Sequence, residues 1–540
     1  MKRAQRRRGA LRDNIEAAAT AIVLALVIRH YVFEAFQIPT GSMAPTLVGE
    51  SRTLVCPNCG LRFTVDHARP IASGAFCPNC RYLFGSEEIA LSPCRSIPSM
   101  QFAWLQWALS EGFHSLSGQA HPFSASGGGN RILVNKLKHD FSPPQRWDVV
   151  VFRFPWAQCN RPSCPMFGRT VIPLRVTPAR CPRCGGGRIA VTRPPGAAPG
   201  VEESRCQDCG WREPTRQEDA RCPECGGPLV ERNYIKRLIG LPGERLLIRH
   251  GDIFINGQIA RKTGKAQDAM WRAVYDSSLP SRLPNFTAPQ AWAAASGRVE
   301  QKDGELRVTP AGAAAARASF ARPITDYTPY NGCDGGDIPV ADIKVEMDLD
   351  LSASFKAFTI QIGEDENLKD QDRGCVYELR VAPAGEGRVS LGLAAAGVAL
   401  GQPQTVDAGP SARLAFWHVD QAVGVAVDGQ TVLTRAFTVP PEKMALDCTS
   451  SRLSLVVEGG ELRATRVRIW RDTYYRHDLG QALYATPPDG HLISPHGYFM
   501  MGDNSRSSAD SRMWGEVPAD FVTGPAFVVW WPIDDIREVR

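Results

Sequence analysis

A serine and a lysine far apart in the chain could together perform nucleophilic chemistry. Ser42 stands in IPTGSMAPTL, residues 38–47, just past a long apolar stretch. A serine hydroxyl is a weak nucleophile unless a nearby group takes its proton. The ten histidines are scattered, and none stands in a recognisable triad setting. The base for Ser42 must therefore be sought among other residue types.

Lys236 is the candidate base. It stands in YIKRLIGLPGE, which reads as a strand followed by a turn. Strand alternation places Lys236 and Leu238 on one face, with Ile235 and Arg237 on the other. Partial desolvation on an apolar face lowers the pKa of a lysine amine from about 10.4, and a neutral amine can accept a serine proton. The residues alone leave open that Lys236 is an ordinary surface lysine.

Sixteen cysteines would ordinarily favour disulfides outside the cytoplasm, but their spacing is typical of metal knuckles. Two thiolates two residues apart on a tight turn can hold one ion, and a second knuckle completes a tetrahedron. Structural zinc is therefore predicted, with disulfides within or between the knuckles as the alternative. The expected sets are Cys56 and Cys59 with Cys77 and Cys80, Cys159 and Cys164 with Cys181 and Cys184, and Cys206 and Cys209 with Cys222 and Cys225.

The N-terminal region predicts a membrane anchor. The first twelve residues, MKRAQRRRGALR, are strongly basic. Residues 15–36, IEAAATAIVLALVIRHYVFEAF, are long enough to cross roughly 30 Å of hydrocarbon, although their fully apolar centre is short. The alternatives are a buried core helix or a cleaved signal peptide, for which this stretch offers no good cleavage site. Because positive flanks stay in the cytoplasm, everything from about residue 37 is expected on the outer side.

The remainder predicts a mostly β protein. A chain of 540 residues is too long for one core, and 43% hydrophobic with 22% charged residues is typical of a folded protein. Short apolar runs between Pro and Gly turns predict strands, among them DVVVF and the closing GPAFVVWWPI. From about residue 263 to 476, alternating strands joined by Asp-Gly and Gly-Gly turns predict a β-sandwich of concanavalin- or laminin-G-like pattern.

Shifts in composition divide the chain into a core that is interrupted three times. We expect a basic cytoplasmic N-terminus at 1–14, an anchor at 15–36, core segments at 37–55, 130–155, 231–262 and 477–540, cysteine-rich zinc-ribbon-like insertions at 56–129 and 156–230, and the β-sandwich insertion at 263–476.

Four stretches that follow the anchor in order closely resemble the sequence boxes of bacterial type I signal peptidases. They are IPTGSMAPTL, DVVVF, YIKRLIGLPGE and YFMMGDNSRSSADSRMWGEVP. The resemblance implies a serine endopeptidase, anchored by a single span in the cytoplasmic membrane, with its catalytic domain outside. It would remove N-terminal signal peptides from exported preproteins by cutting after small residues, at Ala-x-Ala type sites. Signal peptides and membrane lipid would be its partners, with no nucleic acid and no cofactor for catalysis.

The resemblance also implies roles for individual residues. Ser42 would be the nucleophile and Lys236 its base, while the Ser42 backbone N–H and the Thr40 hydroxyl would form the oxyanion hole. Ser508 matches the serine that orients the lysine amine. The remaining matches are Asp510 and Arg512, an ion pair behind that serine, and Ile38, Pro39 and Met43, which belong to the wall that receives small substrate side chains.

Some features depart from that pattern. Ser505, Arg506 and Ser507 replace the usual loop residues, and Trp147 stands where a glycine is common. The insertions lie outside the common core, and stabilising decoration or docking to a protein, the cell-wall layer or glycans are equal alternatives for them.

Two rival functions complete the expectations. A LexA-type self-cleaving repressor would need a helix-turn-helix and a self-cleavage site, and the sequence indicates neither. A zinc-ribbon and lectin-like binding protein with an inactive protease core is disfavoured because every catalytic group is present.

Overall fold

The computed structural model describes residues 31–67, 74–85, 129–154 and, with gaps, 156–230 and 232–540. It also describes Ile89 and parts of residues 16–27, which are helical. Within this described portion, no helix has both the length and the apolar character needed to span a membrane. Residues 33–36, expected at the end of the anchor, instead belong to a strand, because they pair with a neighbouring core strand.

Strands dominate the fold, as predicted. The first are β1 (Phe33–Gln37), β2 (Ser51–Val55), β3 (Arg62–Asp66), β4 (Ala75–Phe76), β5 (Leu83–Phe84), β6 (Arg131–Asn135) and β7 (Val149–Arg153), with helix α1 at Lys138–Phe141. Then come β8 (Trp156–Cys159), β9 (Thr170–Pro173), β10 (Ile189–Thr192), β11 (Val201–Cys206), β12 (Arg212–Arg216), β13 (Leu229–Val230), β14 (Asn233–Gly240), β15 (Arg245–Arg249), β16 (Asp252–Ile255), β17 (Gln258–Ile259) and β18 (Arg272–Asp276), with helix α2 at Lys265–Met270.

The predicted β-sandwich region contains β19 (Trp292–Ser296), β20 (Arg298–Lys302), β21 (Glu305–Thr309), β22 (Ala316–Phe320), β23 (Ile343–Asp350), β24 (Ala357–Glu364), β25 (Cys375–Pro383), β26 (Arg388–Ala395), β27 (Val398–Ala399), β28 (Gln404–Asp407), β29 (Ser411–Val419), β30 (Ala422–Val427), β31 (Gln430–Ala436), β32 (Ser451–Glu458) and β33 (Leu462–Arg471). The last elements are β34 (His491–Leu492), β35 (Gly497–Met501), helix α3 (Ser511–Trp514), β36 (Val517–Pro518), β37 (Val522–Trp531) and β38 (Arg537–Glu538).

A central sheet draws its strands from four distant parts of the chain. Its order is β1-β6-β37-β7-β14-β35-β36, with β38 beside β37. Apolar side chains cover both faces: Val149 and Val151 lie in one core cluster, and Val150 and Phe152 in another. Burial on both faces explains why DVVVF reads as a continuous apolar run. The predicted strands in DVVVF and GPAFVVWWPI are confirmed as β7 and β37.

Hairpins organise the two cysteine-rich regions. In the first, β2 pairs with β3 and β4 with β5. In the second, β13 returns to pair with β8, which also pairs with β9. The strands β10, β11 and β12 form a separate sheet. The second region therefore begins and ends on neighbouring strands, with another sheet nested inside it.

The predicted β-sandwich is present. One eight-stranded sheet has the order β20-β21-β33-β23-β29-β30-β31 with β18 beside β33, and the other has the order β19-β22-β32-β24-β25-β26-β27 with β28 beside β26. Apolar residues of both sheets, such as Val345 of β23 and Ile360 of β24, share one core cluster. A smaller sheet, β17-β16-β15-β34, lies between this region and the central sheet in sequence.

Candidate active site

Ser42 lies in a single 3-10 turn, Gly41–Met43, which we call the Ser42 turn. The chain enters this turn from β1 through Ile38, whose N–H donates to the Asn130 carbonyl at 2.9 Å. Beyond it, Met43 and Leu47 are fully buried in the core cluster of the central sheet. These anchors hold the turn from both sides and leave the Ser42 side chain partly exposed.

The structure brings Lys236 to Ser42. Lys236 lies on β14 opposite Val150 of β7, and its Nζ hydrogen-bonds the Ser42 Oγ at 2.7 Å. The same amine donates to the Ile235 carbonyl at 3.2 Å and lies 5.6 Å from the centre of the Tyr234 ring. A contact between residues so far apart in sequence requires the central sheet and the Ser42 turn to form together.

Burial changes the chemistry of the lysine. Lys236 is only 3% exposed, and desolvation lowers the pKa of its amine from the ordinary 10.5 to about 8. Arg512 also lowers this pKa, while the carboxylates of Asp510 and Asp503 oppose the shift. A substantial fraction of the amine is therefore neutral near pH 8, which is the form that can accept a proton.

The two side chains face a cleft of about 570 Å³. Its apolar lining includes Ile38, Val151 and Ile235, and its mouth includes the exposed Pro39 and Thr40. The Thr40 side chain makes no hydrogen bond to the backbone of the Ser42 turn. Of the other predicted substrate-binding residues, Met43 is buried beneath the turn and does not line the cleft.

The loop after β35 packs behind the Ser42 turn. The Asn504 N–H donates to the Ser42 carbonyl at 3.1 Å, and its Nδ2 donates to the Gly41 carbonyl at 3.0 Å. A Cβ at Gly502 would collide with Ser508 and with the Ser42 carbonyl, so glycine allows this approach. Ser508 is buried, and its Oγ has no hydrogen-bond partner in the described part of the chain. Its expected orienting role toward Lys236 stays a prediction.

Asp510 and Arg512 form a fully buried ion pair. Arg512 donates from Nε to Asp510 Oδ1 at 2.8 Å and from Nη2 to Oδ2 at 2.7 Å. The pair continues into the loop, because Gly502 N–H donates to Asp510 Oδ2 at 3.0 Å and Arg512 Nη1 donates to the Ser505 hydroxyl at 2.8 Å. Paired and hydrogen-bonded charges can be buried without a large free-energy penalty, and this pair braces the segment that carries Ser508.

A second buried ion pair, Arg237 with Asp503, was not anticipated. Arg237 donates to both carboxylate oxygens, at 2.7 and 2.6 Å, and neither side chain is exposed. The strand pattern placed Arg237 only on a face of β14. The charge of Arg237 within an apolar strand was a signal that it needs a buried partner. The sequence could not identify Asp503 as that partner, because the two residues lie far apart in the chain.

Among the described residues, cysteines form three clusters, and one of them has the predicted membership. In Cys56, Cys59, Cys77 and Cys80 the ligand atoms lie within 4.8 Å of one another. The other predicted groupings are wrong, because β13 folds back onto β8 and brings the last knuckle to the first. The observed clusters are Cys159, Cys164, Cys222 and Cys225, and Cys181, Cys206 and Cys209. Cys184, expected beside Cys181, lies outside the described residues.

Sulfur distances test whether a metal fits. Paired Sγ atoms are 3.5 Å apart for Cys56 and Cys80, and 3.6 Å apart for Cys59 and Cys77. In the second region, Cys159 and Cys225 are 3.6 Å apart. A disulfide would require about 2.0 Å, whereas tetrahedral thiolates around zinc at about 2.3 Å are roughly 3.8 Å apart. The thiol positions therefore fit a zinc ion.

The chain matches the model of a known protein family. The family model for signal peptidase, peptidase S26, matches residues 11–59, 108–291 and 427–531, which together make up more than half of the chain. The chain belongs to the signal peptidase family S26. The matched residues include both Ser42 and Lys236.

Individual relatives in this family match over shorter stretches. Signal peptidase I of Pseudomonas fluorescens is 45% identical over 71 residues, covering 10% of this chain and 25% of the relative. Signal peptidase I of Pseudomonas aeruginosa is 40% identical over 82 residues, covering 11% and 29%. The chain thus spans about a quarter of the length of these two relatives.

A solved structure overlaps with the S26 chain at low similarity. A Bacillus licheniformis β-glucanase covers 35% of this chain and 95% of its own, with 12% identity and a TM-score of 0.24. This overlap is too weak to assign a lineage or an activity to any part of the chain.

Proposed function

We propose that this protein is a membrane-anchored serine endopeptidase that removes N-terminal signal peptides from exported preproteins. It would cut after small residues, at Ala-x-Ala type sites, with Ser42 as nucleophile and Lys236 as general base. The N-terminal segment would cross the cytoplasmic membrane once, with the catalytic region outside. The observation that carries this proposal is the 2.7 Å contact between a serine hydroxyl and a buried lysine amine in an open cleft.

The chemistry follows from the protonation state of the lysine. Neutral Lys236 would accept the proton of the Ser42 hydroxyl as Oγ attacks the scissile carbonyl. The resulting ammonium would give that proton to the departing amine, and the freed lysine would then activate the water that hydrolyses the acyl-enzyme. Donors such as the Ser42 N–H and the Thr40 hydroxyl would stabilise the oxyanion, each contributing about 3 kcal/mol.

The cleft suits an extended peptide. Strand β14 pairs with β35 only from Arg237 onward, so the backbone of residues 233–236 has no strand partner on that side among the described residues. A substrate peptide could add there as a strand, between this edge of β14 and residues 38–40, which lead into the Ser42 turn. Main-chain hydrogen bonds would then supply affinity. Ile38, Val151 and Ile235 would then limit the size of the side chains that enter.

Zinc would serve structure in this proposal. Cys56, Cys59, Cys77 and Cys80 would hold one ion, the four clustered thiols of the second region another, and the three-cysteine cluster a third. Zinc bound by four thiolates keeps no open position for substrate. It would supply folding free energy and take no part in peptide cleavage.

The decisive experiment is cleavage of a preprotein with an Ala-x-Ala site by the full chain in detergent. Wild-type protein should cut after the second Ala, and Ser42→Ala and Lys236→Ala should both be inactive. Ser411→Ala and Lys302→Ala, at exposed positions of the β-sandwich, are matched controls that should keep full activity. If Lys236→Ala still cuts while Ser42→Ala does not, another residue is the base.

The zinc proposal has its own measurement. Purified protein should contain metal that is released by a thiol reagent, and Cys77→Ser should lower both metal content and melting temperature. Mass increments that correspond to disulfides, together with metal-free protein of unchanged stability, would exclude zinc.

A further inference from the structure

A turn from the β-sandwich region contacts the Ser42 turn. The 3-10 turn Pro329–Asn331, which we call the insertion turn, lies between β22 and β23. Its Tyr330 is only 3% exposed and packs with Ala44 and Val48, just after the Ser42 turn. The Tyr330 hydroxyl donates to the Glu50 carbonyl at 2.8 Å. The insertion turn therefore packs against the chain that follows Ser42.

The Tyr330 ring explains why residue 41 must be glycine. A Cβ added at Gly41 would overlap the ring, and the three atoms nearest to that Cβ all belong to Tyr330. Gly41 does not adopt a left-handed backbone, so its lack of a side chain serves this close approach. The residue before Ser42 thus fits a ring that comes from an insertion almost three hundred positions away.

A pair of amides makes the second connection. Asn331 Nδ2 donates to Asn504 Oδ1 at 2.8 Å, and Asn504 Nδ2 donates to Asn331 Oδ1, also at 2.8 Å. Asn504 is 2% exposed and binds the carbonyls of both Gly41 and Ser42. Asn331 fixes the plane of the Asn504 amide, and that amide fixes the backbone beside the nucleophile.

The insertion turn is in turn held by the first cysteine-rich region. The Tyr327 hydroxyl donates to the Phe76 carbonyl at 2.9 Å and accepts from the Phe76 N–H at 3.0 Å. The Cys333 N–H donates to the Gly74 carbonyl at 2.9 Å. Both ends of the segment that contains the insertion turn are therefore bonded to the chain immediately before Cys77.

We propose that Tyr330 and Asn331 are positioning residues for Ser42, so that the β-sandwich insertion completes the active site. This inference rests on the proposed peptidase function and adds to it. Tyr330 borders the cleft, but the hydrogen bonds of the Lys236 amine go to Ser42 and Ile235. Tyr330 sets where the Ser42 turn lies, and Asn331 acts through Asn504. The insertion is then required for turnover even where it binds no partner.

The first test measures kcat and KM for an Ala-x-Ala peptide with full-length Asn331→Ala and Asn331→Asp. When a buried amide loses its hydrogen-bond partner, a rate that depends on the position of that amide falls about tenfold or more. We expect kcat to fall by about this factor for the alanine variant, with KM changed by less than about threefold. The aspartate variant keeps the acceptor for Asn504 Nδ2 and should lose less. Thr431→Ala, exposed on β31 of the same insertion, is the control.

Two further readouts separate positioning from general destabilisation. In Asn331→Ala, the midpoint of the fall in kcat/KM toward low pH should stay near pH 8, because the surroundings of Lys236 are unchanged. Asn504→Ala and the double variant Asn331→Ala/Asn504→Ala should be equally impaired, because both remove one chain of contacts. Wild-type kcat in Asn331→Ala, or a fall that merely follows the loss of folded protein, would overturn the inference.

A rescue experiment tests the ring contact. Gly41→Ala should lose most activity, and Gly41→Ala combined with Tyr330→Ala should be more active than Gly41→Ala alone, because the second change removes the ring that the new methyl group meets. A double variant no better than Gly41→Ala contradicts the proposed contact. If wild-type protein cuts no substrate at all, the peptidase proposal fails. If wild-type protein cuts and these variants cut equally well, only the positioning role is contradicted.

Discussion

Lys236 and Lys262 are both buried, with exposures of 3% and 8%, yet their surroundings move their pKa values in opposite directions. Burial lowers the pKa of Lys236 to about 8. Burial also acts on Lys262, but the carboxylates of Asp420, Asp472 and Asp252 outweigh it and raise the pKa of that amine well above 10.5. Burial therefore yields a readily deprotonated lysine only where no carboxylate contacts the amine, as at Lys236 among the described residues.

The position of Lys262 explains its different role. Its Nζ contacts Asp420 and lies 2.9 Å from Asp472 Oδ2. Lys262 stands where the chain enters the β-sandwich region, Asp472 where it leaves, and Asp420 between β29 and β30. One buried cation thus ties together the entry, the middle and the exit of the insertion, whereas Lys236 faces the cleft.

The largest expected effect is on catalysis by Lys236→Met. Methionine has similar bulk but no proton acceptor, so kcat/KM should fall by about a thousandfold or more. Lys262→Met should leave the kcat/KM of the folded protein near that of wild type. Peptide cleavage by the two variants, normalised to folded protein, measures the contrast, and equal losses would remove the distinction between the two lysines.

Stability should respond in the opposite order. Lys262→Met leaves buried carboxylates without their cation, which typically costs about 3–5 kcal/mol. The raised pKa of Lys262 means that its contribution is complete below pH 10.5 and is lost only above that pH. Burial raises the pKa of Asp472 to about 6, so protonation below that pH should reduce the damage. Urea unfolding at pH 5 and pH 8 checks this, and a loss that grows toward pH 5 would be inconsistent with it.

The pH profile provides the next contrast. Only the neutral form of Lys236 can act as a base, so kcat/KM should fall about tenfold per pH unit below pH 8, reaching roughly one hundredth of its plateau at pH 6. Burial is the largest cause of the lowered pKa. A profile that is flat from pH 6 to pH 9 would mean that another group is the base. Thr431→Ala should show the wild-type profile.

The smallest effect is a gain in stability on removing Lys236. Its lowered pKa means that the unfolded chain keeps the proton more strongly, which destabilises the fold below pH 8 by roughly 3 kcal/mol. Lys236→Met should recover about 2 kcal/mol at pH 7, since the hydrogen bonds to Ser42 and Ile235 are lost. The gain should shrink as pH rises from 8 toward 10.5. Melting temperatures at pH 7 and pH 10 measure it, and a destabilised variant at pH 7 would refute it.

The sequence indicated one of these lysines and not the other. Lys236 stands in an apolar run with strand alternation, and the resemblance to signal peptidases supplied Ser42 as its partner. Lys262 stands in QIARKTGKAQ, where nothing indicates burial. Its partners lie at residues 420 and 472, and no local pattern connects them. Side chains that are buried by long-range pairing leave little trace in a single sequence.

The cysteines show the same limit. The first cluster was predictable because its two knuckles are joined by a short hairpin region, so neighbours in sequence are neighbours in space. In the second region the return of β13 to β8 encloses the sheet of β10, β11 and β12. The knuckle at Cys206 and Cys209 therefore does not meet the next one in sequence, at Cys222 and Cys225. The presence of strands could be predicted from the local sequence pattern. The enclosure of one sheet by another could not, because it depends on which distant strands pair.

That return has a consequence for how the chain can vary. Arg153 of β7 lies opposite Asn233 of β14, so the whole second cysteine-rich region takes the place of a hairpin turn. The entropy lost on closing such a loop grows only with the logarithm of its length. An inserted region that folds into its own sheets, as this one does, lowers that loss further. The central sheet therefore tolerates great changes of length at this point, and proteins sharing the sheet are free to differ there.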